Sequence, residues 1–318
     1  MDDRLHVSSI VLHRGEEPPI SGVKGIVNVF FPSCNMQCVY CQNWEISCRG
    51  TRGTVMSLNE VCDAIVRLLP QSENNLGFVS PTHFVLQLIS IVAELHKRGF
   101  NPTIVYNTNG YELPETIRSL EGIVDVWLPD FKYSDDDLAV ALSQAPDYSQ
   151  YALSSVKEMV YQVGTTLHTD EKGIARRGII IRHLVLPGFV DNSLGVLRLI
   201  SENLSSNLHI SLMSQYYPPD NPAFAHPGLF IEEKNRKSHM VNLSLQLRQS
   251  PAQEVPGRRI NPEHEMSGHK SLNRPITLEE YETVVDSFHD LGFNRGWAQD
   301  FESHRTYRPD FSKDQPFE

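Results

Sequence analysis

Three cysteines at 34, 38 and 41, in the run CNMQCVYC, follow an apolar, β-branched segment over 25–33. Thiolates favour soft metals, and a short loop after a buried strand would deliver all three to one end of a sheet. A closed structural zinc site takes four ligands, and four cysteines ordinarily hold a [4Fe-4S] cluster. Three thiols leave one position open, which suits a cubane whose fourth iron binds a small molecule. The alternatives are a zinc knuckle completed by Cys48 or a histidine, and a chance cluster of core cysteines.

Strands and helices alternate around this loop. Ser57 and Glu60 form a capping-box pattern, and Val61, Ile65, Leu68 and Leu69 make one apolar helical face, so a helix is expected over 58–69. Strands are expected near 76–80, 103–107, 123–128, 178–186 and 208–213, and helices over 84–98, 114–120, around 151–163 and over 194–204. Six such units argue for a parallel sheet with helical crossovers, an open (βα)6 barrel, with a doubly wound sheet as the competitor. Either fold binds ligands at the carboxyl ends of its strands. The polar residues fall there: the cysteine loop, Ser80-Pro-Thr-His83, Asn107-Thr-Asn109, Asp130 and Lys132, and Gln215.

The domain organisation follows. Residues 1–24 read as a polar lead-in, with Pro18 and Pro19 arguing against a helix, and Glu16 and Glu17 either as solvated loop charges or as groups that cover the barrel or touch a ligand. Residues 25–223 form the barrel, and 224–271 a mobile insertion whose irregularly spaced histidines (His226, His239, His264 and His269) read as solvated. Residues 272–318 return to the same domain as a helix from the Thr277 capping box, a strand and a wrapped tail. A formal charge of -11 argues against a generally nucleic-acid-binding surface, though not against a local basic patch. Five cysteines, three of them clustered, fit a reducing compartment rather than a disulfide framework. No run approaches the ~18 apolar residues of a membrane span, so the expectation is a soluble, cytoplasmic protein without membrane partners.

The stretches GEEPPISG (15–22), FFPSCNMQCVYCQNWEIS (30–47), NLGFVSPTHF (75–84), YNTNGYE (106–112), DVWLPDFKY (125–133), RHLVLPG (182–188), LMSQYYP (212–218) and LNRPITLEEY (272–281) resemble, in order, the PflX-type radical S-adenosylmethionine (SAM) proteins. These are relatives of the pyruvate formate-lyase activating enzyme. The resemblance implies an α/β partial barrel with a C-terminal helical extension. It implies a [4Fe-4S] cluster on Cys34, Cys38 and Cys41, and SAM cleaved reductively to a 5'-deoxyadenosyl radical that abstracts hydrogen from a substrate. An electron donor such as flavodoxin or ferredoxin follows, and a protein substrate, as in a glycyl-radical enzyme, is one option.

By the same resemblance Tyr40 lies near the adenine. Ser80 and Thr82 occupy the place of a Gly-Gly-Glu turn that receives the SAM amino group elsewhere. The glutamate is missing here, so backbone carbonyls, the Thr82 hydroxyl or His83 must serve. Asn107, Asn109, Asp130 and Lys132 resemble strand-end motifs that support SAM and a monovalent cation, although Asp130 and Lys132 also suit a simple pair. Asn107 stands where activating enzymes tend to carry an acid, and Gln215 near where they carry a histidine. Arg182, a charge within an apolar strand, needs a carboxylate, either that of SAM or an aspartate. His183 should face the other way, packed under a helix. Cys62 reads as core. The competing reading is a metal- or cluster-stabilised binding protein on a degenerate barrel, without SAM chemistry.

Overall fold

In the computed structural model, which describes residues 5–48, 50–219, 271–305 and 311, the chain opens with β1 (Leu5–Val7), β2 (Ser9–His13), α1 (Pro18–Ser21) and β3 (Ile26–Phe30). The insertion expected over 224–271 falls, apart from Ser271, outside the described residues, and so do its four histidines. After the cysteine loop come α2 (Trp44–Ser47), β4 (Thr54–Met56) and α3 (Leu58–Leu68). Then β5 (Asn75–Val79), α4 (Val85–Lys97), β6 (Thr103–Thr108), α5 (Pro114–Arg118) and β7 (Val126–Pro129) alternate. Two helices, α6 (Asp136–Ser143) and α7 (Tyr148–Val163), precede β8 (His168–Thr169) and β9 (Ala175–Leu184). Last come α8 (Val190–Asn203), β10 (His209–Met213), α9 (Leu278–Asp290) and β11 (Gly296–Ala298).

The caps read from sequence are present. Ser57 Oγ accepts from the Glu60 amide and the Glu60 carboxylate accepts from the Ser57 amide; Thr277 and Glu280 repeat the exchange before α9. Each such cap is worth about 1 kcal/mol.

The main sheet runs β11-β10-β9-β7-β6-β5-β3-β2. Six strands from β3 to β10 are parallel neighbours in chain order, without the reversal of a doubly wound sheet, which identifies an α/β partial barrel. Beyond those six, the strand expected within 272–318 is β11, which pairs parallel with β10, and β2, which was not expected, pairs antiparallel with β3. The lead-in is therefore part of the sheet. A further helix, α6, was not foreseen; Asp135 caps it, accepting from the amides of Asp137 and Leu138.

Period-2 alternation sorts the side chains into two layers. Val27, Val29, Leu76, Phe78, Ile104, Tyr106, Trp127, Ile179 and Ile181 face the helices. Ile26, Val105, Val126, Leu128 and Ile180 face inward, and Ile20 of α1 packs among them, fully buried. The Ile20 carbonyl also accepts from Asn75 Nδ2 at the start of β5. The turn α1 thus plugs the amino-terminal end of the barrel. Pro18 at the first position of the turn suits it, since its absent N–H has no helical partner there. Burying Ile20 contributes about 1.5–3 kcal/mol. Phe311 meets Phe30 edge-on at 5.4 Å, and its amide donates to Glu45 at 3.1 Å.

Candidate active site

The carboxyl ends of the strands and the α1 plug enclose a cavity of about 540 Å³. Cys34, Cys38 and Cys41 line one wall. Their loop is turned by Ser33, held in the left-handed region at φ 69° by its amide bond to the Ile46 carbonyl, 2.7 Å. The amides of Gln37 and Val39 donate to the carbonyls of Ser143 and Leu142 at the end of α6, and Asn35 Nδ2 donates to the Tyr111 carbonyl. Gly110 sits at φ 79°, and a Cβ there would strike the Asp130 carbonyl, so only glycine lets this loop lie against the end of β7.

Each cysteine sulfur has a donor. Asn109 Nδ2 donates to Cys34 at 3.4 Å, Ser143 Oγ to Cys38 at 3.0 Å, and the Ser47 side chain bonds Cys41. Burial and mutual repulsion push the Cys34 thiol up to about 11 and Cys41 up to about 12, and burial raises Cys38 as well. Three partly buried sulfurs that repel one another's charge yet carry donors suit thiolates neutralised by a bound cationic centre. Among the described residues no three His, Cys, Asp or Glu side chains converge on a single-ion position. Three thiolates on one loop are the donor set that would hold an iron–sulfur cube with one iron left open.

The Cys38 contact continues outward. Ser143 Oγ lies 2.6 Å from Tyr133 Oη, which lies 2.5 Å from Tyr40 Oη. Because Ser143 spends its only proton on sulfur, Tyr133 must donate to Ser143 and Tyr40 to Tyr133. The Tyr40 ring, rather than its hydroxyl proton, is left for the cavity. Hydrogen bonds to sulfur stabilise the more negative, reduced cluster. Ser143→Ala is therefore expected to lower the cluster potential by on the order of tens of millivolts, with Tyr133→Phe moving it less in the same direction. A redox titration followed by electron paramagnetic resonance reads both.

The same cavity holds a largely buried ionic layer. Arg182 Nε donates to Asp130 Oδ1 at 2.8 Å, Nη2 to Asn107 Oδ1 at 2.6 Å and Nη1 to Glu16 Oε2 at 3.2 Å. Lys132 Nζ donates to Asp130 Oδ2 at 2.6 Å, and Glu16 Oε1 accepts from Asn28 and Asn107. Gly77 makes room for Asn28, whose side chain occupies the place a Cβ would take. Burial alone would raise the Asp130 carboxyl, but Arg182 and Lys132 outweigh it and hold it below the usual range. Arg182 thus takes the aspartate alternative, and its guanidinium is committed to protein acceptors. Lys132 keeps two of its three donors for a ligand carboxylate.

Glu16 and Glu17, read as solvated loop charges, are drawn into this layer by Arg182 and are 10% and 4% exposed at their side chains. Burial pushes the Glu17 carboxyl up to about 7, against the pull of Arg182. A carboxyl raised in the folded state stabilises below its unfolded value, near 4.5, and loses that stability as pH rises through the folded value. Glu17→Gln is therefore expected to be more stable than wild type at pH 8, by on the order of 1–3 kcal/mol, and level with it near pH 5. Urea unfolding at the two pH values checks this.

Tyr40, Ser80, Asn107, Asn109, Asp130, Lys132, Arg182 and Gln215 all line the cavity, whereas Thr82 does not. Its hydroxyl donates to Glu112 Oε1 at 2.7 Å, alongside Thr108 and Tyr106. His83 bonds the Pro32 carbonyl at 2.8 Å, supporting the cysteine loop from behind. Ser80 keeps a left-handed backbone, φ 49°, tied to the Asn107 carbonyl. Gln215 is met by Gln299 Nε2 at 3.1 Å, and Trp297, Gln299 and Asp300 complete the wall. His183 faces the helices as expected, between the Phe131 carbonyl and Ser193 Oγ, and burial lowers its pKa to about 4. Cys62 is buried in the outer core.

Residues 28–167 match the family model described as Radical SAM superfamily. An uncharacterized protein of Methanocaldococcus jannaschii, MJ0674, is 31% identical over 222 residues, 67% of this chain and 59% of that protein. The chain thus spans about three fifths of that relative's length. Among solved structures, SuiB of Streptococcus suis bound to S-adenosylmethionine aligns over 66% of this chain and 48% of its own, at 13% identity and a TM-score of 0.40. The hydrogenase maturase HydG of Carboxydothermus hydrogenoformans aligns over 94% and 65%, at 14% identity and 0.42. At those scores the two likenesses carry no weight beyond the family match.

Proposed function

With a radical SAM superfamily domain over residues 28–167, we propose that the chain is an enzyme that cleaves SAM reductively and uses the resulting radical to abstract hydrogen from a substrate. The family implies a [4Fe-4S] cluster and SAM. The observation that carries the reading is the cysteine triad, each sulfur with a donor, lining one cavity together with Lys132 and Arg182. Cys34, Cys38 and Cys41 would hold the cluster. Bound together, cluster and SAM supply a 5'-deoxyadenosyl radical.

The protein's part is to bind, orient and exclude water. Lys132, anchored by Asp130, offers free donors to a carboxylate. The Tyr40 ring presents an apolar face, and Asn109 ties the β6 loop to Cys34 and Asn35. Ser80, with its left-handed backbone, lines the cavity and would offer its carbonyl where a side-chain carboxylate is lacking. An electron donor such as flavodoxin or ferredoxin completes the scheme. Incubated anaerobically with dithionite and SAM, cluster-loaded protein is expected to form 5'-deoxyadenosine; a folded, cluster-loaded sample that forms none contradicts the reading.

The likeness of the strand-end motifs to those of activating enzymes favours a glycyl-radical protein as substrate. A glycyl doublet in electron paramagnetic resonance, dependent on SAM and the partner, tests that choice.

A further inference from the structure

Two side-chain amides in the cavity wall are linked in a series whose direction is fixed at one end. The backbone amide of Ser214, just beyond β10, can only donate, and it donates to Gln299 Oε1 at 3.2 Å. That bond decides how the Gln299 amide lies, so its Nε2 donates to Gln215 Oε1 at 3.1 Å. Gln299 is itself held in place just beyond β11: its backbone amide donates to the Leu212 carbonyl at 2.9 Å, and its carbonyl lies 3.0 Å from Tyr281 Oη of α9. Gln215 is therefore left with its Nε2 to give. This nitrogen has no acceptor among the described residues, yet it is not sealed in the interior: Gln215 is half-buried and lines the cavity.

We propose that Gln299, from the C-terminal extension, is a positioning residue for SAM. By fixing the Gln215 amide it makes this part of the wall a hydrogen-bond donor, matched to an oxygen of the cofactor. Gln42, which directly follows Cys41, donates to the Gln215 carbonyl at 3.3 Å. The oriented amide thus stands beside the cysteine loop, where the radical SAM reading, on which this inference rests, puts the cofactor. Without Gln299 nothing would distinguish the two ends of the Gln215 amide, and half of its orientations would set a carbonyl against an oxygen of the ligand. An amide pinned in advance binds without that loss.

The test is a calorimetric titration of the cluster-loaded full chain with SAM, the cluster kept oxidised so that no turnover occurs. Gln299→Glu keeps the Ser214 bond, since a carboxylate accepts there too, but puts a second acceptor where Nε2 donated. Gln215 then turns its N–H groups toward that acceptor and shows its carbonyl to the cavity. SAM affinity is expected to fall at least about tenfold in Gln299→Glu and only about two- to threefold in Gln299→Leu, which merely frees the amide. A purely structural role predicts the opposite order, because glutamate is the closer fit. In a Gln215→Met background, Gln299→Glu should change the affinity by less than about twofold, since the group it acts through is gone. If the Leu variant fails to fold, the Glu variant and its cycle with Gln215→Met decide alone. Wild-type affinity in the Glu variant, weaker binding by the Leu variant than by the Glu variant, or a Glu effect that persists in the Gln215→Met background overturns the inference. A chain that binds SAM with the expected dependence but forms no 5'-deoxyadenosine contradicts the radical reading alone. One that cleaves SAM yet binds it indifferently to position 299 contradicts this inference alone, and a wild-type chain that binds no SAM contradicts both.

Discussion

Replacing Cys38 by alanine is expected to leave the chain folded but strip it of iron. Content should drop from about four atoms per chain to a small fraction of that, and 5'-deoxyadenosine formation should fall below detection. Cys38 is the thiol whose charge is felt by both other cysteines, and Ser143 donates to its sulfur. Two remaining thiols give a cubane too few anchors. The truncation itself removes a single sulfur from a partly buried site, a cost of about 1 kcal/mol, so circular dichroism should match wild type. Iron analysis and chromatography of the reaction supply the readout. Undiminished iron and turnover would place the cluster elsewhere.

The largest effect on stability is expected from Arg182→Met. Removing the guanidinium leaves Glu16, Glu17 and Asp130 facing Lys132 alone, and breaking a buried ion network from one side costs about 3–5 kcal/mol. The pH dependence follows from Asp130, whose pKa Arg182 and Lys132 hold down despite burial. A depressed carboxyl contributes stability above its unfolded value and loses it as pH falls. The deficit of the variant should therefore be full at pH 7–8 and shrink toward pH 4, as the abandoned carboxyls take up protons. Urea unfolding across that range measures it. Arg182→Lys should recover only part of the loss, because an ammonium cannot span Asp130, Asn107 and Glu16 together as the planar fork does.

Local patterns carried most of the fold. The capping boxes at Ser57 and Thr277, the strand runs and the C-x3-C-x2-C spacing each depend on residues a few positions apart, and each is found where the sequence places it. What escaped depends on distant partners. Glu16 is charged, sits between Gly15 and Glu17 ahead of two prolines, and is indistinguishable from a loop residue until Arg182, 166 positions away, closes on it. Pro18 and Pro19 speak against a helix interior, yet the first turn of α1 accommodates them because its amides have no partner to lose. Ser143 gave no signal of its own; the run Asp135-Asp-Asp137 before it, a cap followed by acids in a first turn, was the clue to α6. Thr82 was drawn toward the cavity by its place in the turn after β5, but Glu112 holds it on the far side of the strand ends.

The question beneath all of this is whether one iron of the cluster is free for SAM. Electron paramagnetic resonance of the dithionite-reduced protein, recorded before and after adding SAM, addresses it directly. The predicted result is an S = 1/2 signal, absent in the Cys38→Ala variant, whose g-values shift when SAM occupies the open position. A signal indifferent to SAM, or colourless protein holding stoichiometric zinc, would contradict the account.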